Sequence, residues 1–91
     1  MKIYILQFTR YNSWGEIQKR FDMKCYKDRA CANHRMVLEA LTYARVGFAV
    51  SLVNDGVYIN TMKAERRHTK IMEEDIIEIR VIEMEIINNQ I

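Results

Sequence analysis

The stretch Asp28–Gly47, DRACANHRMVLEALTYARVG, decides the fold, because it is the one segment of the chain with clear helical caps at both ends. Asp28 suits the N-cap, where a carboxylate accepts from the free N–H groups of the first turn. Gly47 suits the position just past the last turn, where positive φ costs a glycine little. Arg45 falls in the last turn, where a cation complements the helix dipole. Apolar residues recur at spacings of three and four: Ala30, His34, Val37, Leu41 and Ala44, with Cys31 and Leu38 beside them. This side is expected to meet a sheet, and its alanines allow a close approach. Arg35, Glu39 and Thr42 fall opposite, with Arg35 and Glu39 spaced to pair.

On either side of this helix the pattern turns to strands. Residues 1–27 read as an antiparallel hairpin. Ile3, Tyr4, Ile5, Leu6 and Phe8 leave neither face of the first strand polar, as in a strand buried on both sides. Asn12-Ser13-Trp14-Gly15 is the turn. In the second strand Ile17, Phe21, Met23 and Cys25 alternate with Gln18, Arg20, Asp22, Lys24 and Tyr26, which predicts a wet, mainly basic face. Residues 48–62 form a second hairpin around Asp55-Gly56, a strong two-residue turn signal; that loop would set Leu52 opposite Ile59. Residues 63–75, KAERRHTKIMEED, read as a polar connector. Residues 76–87 form an acidic last strand whose alternation slips at Val81-Ile82, as a β-bulge would make it, or as a tail crossing to a second subunit would. Residues 88–91 suggest a frayed end. The expected fold is α+β: a mostly antiparallel sheet of about five strands, ordered ββαβββ, with one helix on one face.

Ninety-one residues make one domain with a modest core. An apolar fraction of 49% argues against disorder. No apolar run approaches the roughly 18 residues of a membrane span, and MKIYILQF reads as a strand rather than a signal peptide. A cytoplasmic location with reduced Cys25 and Cys31 follows as the default. The net charge of +2 conceals an asymmetry: residues 1–70 hold thirteen Lys/Arg and six Asp/Glu, residues 71–91 one Arg and six Asp/Glu.

Motifs for chemistry are sparse. Cys25, Cys31, His34 and His68 match no common zinc spacing, and no metal or cofactor is expected. Cys31 and His34 make a minimal thiol–imidazole pair without an orienting third group. Glu73, Glu74, Glu78, Glu83 and Glu85 read as a solvated face rather than a catalytic pair. The three glycines serve turns and a cap, which leaves no phosphate loop. Two binding readings remain. Trp14, Arg20, Lys24 and Tyr26 are candidate contacts for a protein partner, since tryptophan, tyrosine and arginine carry interface energy. Trp14 either folds over the sheet edge or anchors that partner. Arg20 and Lys24, joined by Arg66, Arg67 and Lys70, would instead bind RNA or DNA on a basic sheet face. A pI near 8.6 is low for that role.

The order of elements over residues 2–53, with YILQF, SWGE and VLEALTYAR as the nearest stretches, resembles the short antitoxin of T-even phages, which blocks a host RNA-cleaving toxin. The chain is also similar in style to the small accessory proteins of such phages that disable host factors. The resemblance implies a non-enzymatic inhibitor of a host or defence protein, acting by occlusion. It carries over no site residue, and the segments after Asn54 depart from the antitoxin. A homodimer closed through the last strand is a further arrangement the pattern allows.

Overall fold

The computed structural model describes residues 1–68 and 73–87, with backbone alone at 67, 68, 73 and 74. Five strands and one helix follow in the order β1 (Lys2–Tyr11), β2 (Ile17–Tyr26), α1 (Arg29–Arg45), β3 (Ala49–Asn54), β4 (Ile59–His68) and β5 (Glu73–Glu85). All neighbours are antiparallel, and the sheet order is β2-β1-β5-β4-β3. The expected α+β class and ββαβββ order are therefore the observed ones. The segment read as a polar connector is not one. Residues 63–68 complete β4, residues 73–75 open β5, and the two pair from Thr61↔Arg80 to His68↔Glu73.

The helix caps are those the sequence indicates. The Asp28 carboxylate accepts from the Ala30 amide at 2.8 Å, and Gly47 takes φ 95° just beyond the C-cap. Arg35 and Glu39 pair at 2.9 Å. The buried face is different from the expected one. Ala32, Met36 and Ala40 point into the core, whereas His34, Leu38, Leu41 and Ala44 are exposed. The helix is rolled by about one residue, or roughly 100°. Two polar tethers set that roll. Asn33 Oδ1 accepts from the Ile59 amide at 2.7 Å. The Arg29 guanidinium lies between the Tyr4 and Tyr58 rings, 5.7 and 5.6 Å from their centroids, and reaches Asp55 at 2.9 Å. Residues 29, 33, 36 and 40 share one side, so satisfying Arg29 and Asn33 turns Met36 and Ala40 inward.

The core gathers Leu6, Met62, Ala64, Ile77 and Ile79 from the sheet beneath Ala32, Met36 and Ala40, with Tyr4, Phe8, Tyr43, Phe48 and Val50 at its margin. Each large side chain among these contributes about 1.5–3 kcal/mol by burial. The sheet supplies most of the bulk, and the helix alanines let it sit close.

β1 and β5 run in unbroken register from Lys2↔Glu85 to Tyr11↔Ile76, so the expected bulge at Val81-Ile82 is absent. The slip in alternation has another cause. On the helix face, apolar residues end at Val81 and give way to Glu83, which pairs with Lys2 at 3.3 Å. On the helix-free face, Ile82 and Met84 lie opposite Ile5 and Ile3. β5 is thus apolar on one face at its start and on the other at its end. It lies in the middle of the sheet between β1 and β4. Over Ile76–Arg80 both its edges are occupied by strands of the same chain.

The second hairpin also departs from expectation. Leu52 faces Met62 rather than Ile59, and the turn spans four residues. The Asp55 carboxylate accepts from the Val57 and Tyr58 amides at 3.2 and 3.0 Å, which does the work of a backbone turn and lengthens the loop. Those amide bonds, Tyr58 first, hold the Asp55 pKa below its ordinary value, with Arg29 adding to them.

Candidate functional site

The β1–β2 turn presents the most conspicuous side chain of the molecule. Asn12 Oδ1 accepts from the Trp14 amide at 3.0 Å and the Glu16 amide at 2.9 Å. The Asn12 amide donates to the Glu16 carbonyl and the Gly15 amide to the Asn12 carbonyl, at 3.0 and 3.1 Å. The backbone under Trp14 is therefore fixed, yet its side chain is 86% exposed. Of the two expectations for Trp14, folding over the sheet edge is not what occurs.

Beside it lies a cleft of about 380 Å³ lined by Arg10, Tyr11, Asn12, Ser13, Trp14, Gln18 and Asp75. Asp75 reaches the cleft because β5 extends past the end of β1. Its carboxylate accepts from Arg10 at 2.7 Å and Arg66 at 3.3 Å. Arg66 also lies 4.5 Å from the Phe48 ring centroid. Asp75 is the contribution the sequence reading missed, since its approach to Arg10 depends on β5 lying next to β1.

Trp14, Arg20, Lys24 and Tyr26 do not form one surface. β2 carries irregularities opposite Leu6/Gln7 and Arg10/Tyr11. The first re-phases the strand, because the extra residue at Met23 flips every side chain after it. Arg20 faces Thr9 on the helix-free side, where its Nε donates to Thr9 Oγ1 at 3.1 Å. Lys24 and Tyr26 face Leu6 and Tyr4 on the helix side, with Lys24 Nζ 5.5 Å from the Tyr26 centroid. The nucleic-acid set is split in the same way: Arg66 shares the helix side with Lys24, across the sheet from Arg20. The Arg67 side chain and all of Lys70 lie outside the described residues, as do the His68 side chain and residues 88–91.

The helix-free face is mixed rather than basic. Among the described residues its cations Arg20, Lys63 and Arg80 stand among Asp22, Glu65 and Glu78, and Lys63 and Arg80 pair with Glu65 and Glu78 at 3.0 and 3.7 Å. The hydrogen bond to Glu65 raises the Lys63 pKa above its ordinary value. Next to these charges sits an apolar cluster of Ile3, Ile5, Cys25, Ile82 and Met84.

Cys31 and His34 line a second, shallow groove of about 410 Å³ with Tyr26, Ala30, Arg35 and Leu38. Cys25 faces away on the helix-free side, so the two thiols do not converge. Among the described residues no three His, Cys, Asp or Glu side chains are placed to hold a metal ion, and no helix is long and apolar enough to cross a membrane.

Fold and site together define an open-faced α+β module, one helix over a five-stranded sheet, with a rigid aromatic tip beside a polar cleft. No protein-family model, no curated protein and no solved structure matches this chain.

Proposed function

We propose that this chain is a non-enzymatic protein-binding module whose contact surface is the end of the sheet around Trp14. The observation that carries the proposal is the exposure of Trp14 on a turn fixed by four hydrogen bonds. A large aromatic held rigidly in water loses little entropy on docking, which is how interface anchors work. The likeness to small accessory proteins of T-even-like phages extends the proposal: the partner is a host or defence enzyme in the cytoplasm, and binding occludes its working surface.

The RNA- or DNA-binding reading has less to support it. Single-strand binders stack successive bases on aromatics along a basic track. Here the bulge divides the basic residues between two faces, and carboxylates interrupt the helix-free one.

The test is capture from host lysate by wild type and by Trp14→Ala, with and without nuclease. The proposal expects a stoichiometric protein that survives nuclease and falls at least about tenfold with Trp14→Ala. Unfolding of the variant should stay within about 0.5 kcal/mol of wild type. Capture abolished by nuclease, or unaffected by the substitution, would refute the reading.

A further inference from the structure

The helix packs on one face of the sheet, and among the described residues nothing covers the other. Over β2, β1 and β5 that open face is ordered in rows fixed by the strand registers. Towards the Met1 end lie two apolar rows, Ile3–Met84 and Cys25–Ile5–Ile82. Two charged rows follow, Asp22–Gln7–Arg80 and Arg20–Thr9–Glu78. The row nearest Trp14, Ile17–Tyr11–Ile76, is apolar again. In the first charged row the acid stands on β2 and the base on β5. In the second the order is reversed, and the β1 residue between them is uncharged in both.

This alternation makes the face complementary to itself. A half-turn about an axis along β1 brings Asp22 over Arg80 of a second copy, and Arg20 over Glu78. An axis along β5, β2 or β4 would instead set Glu78, Arg20 or Lys63 against itself. The charges concerned are weakly engaged within the chain. Among the described residues Asp22 makes no ion pair, and Arg80, 56% exposed, meets Glu78 only at 3.7 Å.

We infer that the open face is the contact between two copies of this chain, stacked sheet on sheet about a two-fold axis along β1. The apolar rows supply the driving force, and the charged rows fix register and partner. Stacked sheets cross at about 30°, which displaces facing residues least near mid-strand, where the charged rows lie. Three strands about 4.8 Å apart and about 34 Å long give a footprint of roughly 500 Å² per copy, or about 1,000 Å² in all, at the lower bound for a specific interface. The dimer is accordingly a weak one, with Kd on the order of 10 μM. Lys63, one strand further out, is paired with Glu65 and has no residue opposite it. The two β1 strands run in the same sense, so both Trp14 turns come to one end of the dimer. The inference goes beyond the protein-binding reading and does not depend on it.

The experiment is sedimentation velocity of wild type from about 1 to 300 μM, repeated with two single variants, Asp22→Arg and Arg80→Asp, alone and mixed in equal amounts. Wild type should pass from monomer to dimer across the series. Each single variant sets like charges against each other twice per dimer, so its Kd should rise at least about tenfold. In the mixture every facing pair is again of opposite sign, and a heterodimer should form with Kd within about threefold of wild type. No contact inside one chain is restored by mixing, so recovery there separates an interface from a folding effect. Circular dichroism confirms that each variant is folded; should either not be, Arg20→Glu and Glu78→Arg make the second such pair. Wild type that stays monomeric throughout, folded single variants that dimerise as wild type does, or a mixture that stays monomeric would each overturn the inference. Trp14-dependent capture of a partner from lysate by a monomeric chain would leave the binding-module reading standing while this one fails.

Discussion

The roll of α1 is open to a direct thermodynamic test. Met36 is fully buried between helix and sheet, whereas Leu41, the larger loss by sequence pattern, is 53% exposed. Met36→Ala removes three heavy atoms. At about 0.8 kcal/mol per methylene-sized group, that forfeits about 2–2.5 kcal/mol of burial. The void left behind, on the order of 60 Å³ before relaxation, adds about 1–1.5 kcal/mol at ~24 cal/mol per Å³. Alanine's better helix propensity returns a few tenths. The expected loss is about 3–4 kcal/mol. Leu41→Ala should cost under about 1 kcal/mol, since much of that side chain already meets water. The assay is urea unfolding followed by circular dichroism. With m about 1–1.5 kcal/mol/M, the Met36→Ala midpoint should fall by about 2–4 M. Met36→Leu, which keeps the volume, should stay within about 1.5 kcal/mol of wild type and guards against a variant that simply fails to fold. If Leu41→Ala proves as costly as Met36→Ala, the helix faces the sheet with its other side and the tethering argument from Arg29 and Asn33 is wrong.

Asp55 gives a pH signature. Its folded-state pKa lies below the ordinary 3.8, chiefly because the Tyr58 and Val57 amides bond the carboxylate. The stability it contributes is therefore present above pH 3.8 and lost as pH falls through the lower folded value. Asp55→Asn should flatten that part of the acid-unfolding curve, which urea midpoints measured from pH 5 to 2 will show. Asp75→Asn leaves Arg10 and Arg66 without their shared carboxylate. Both arginines are partly solvated, so the expected loss is about 1 kcal/mol, shrinking in high salt, and unfolding at two ionic strengths checks it.

Local chemistry made the elements legible, and tertiary choices did not. Asp28, Arg45 and Gly47 mark the helix ends because capping is a matter of a few adjacent residues. The helix face was not readable, because α1 carries two apolar stripes. Leu38 and Leu41 outweigh Ala32 and Ala40 on any hydrophobicity count, while the decision lay with Arg29 and Asn33 and with partners distant in sequence. The same holds for Asp55-Gly56: the dipeptide announced a turn, but the side-chain acceptor that lengthens it by two residues is a geometric fact. In β5 a change of buried face halfway along mimicked a bulge, whereas the true bulge lay in β2, under a run that alternated without visible fault. That bulge is why the proposed basic surface came apart. Trp14 was identifiable as a residue at a turn tip; its cleft was not, because Arg10 and Asp75 are far apart in the chain.

The position of β5 has a consequence for how the protein comes into being. It is the last of these five strands in sequence and the one on which the sheet closes: β1–β2 and β3–β4 each pair with it rather than with each other. Closing the β1 side joins Met1 to Ile86 across 85 positions, among the longest loops this chain can make. Such pairings are slow to find, because the entropy of the intervening loop is lost before any contact rewards it. On the ribosome the two hairpins must wait with β1 and β4 offering unpaired edges until β5 emerges between them. Those edges, rather than anything exposed in the finished fold, are where a nascent chain of this design is most open to capture by a neighbour or a chaperone.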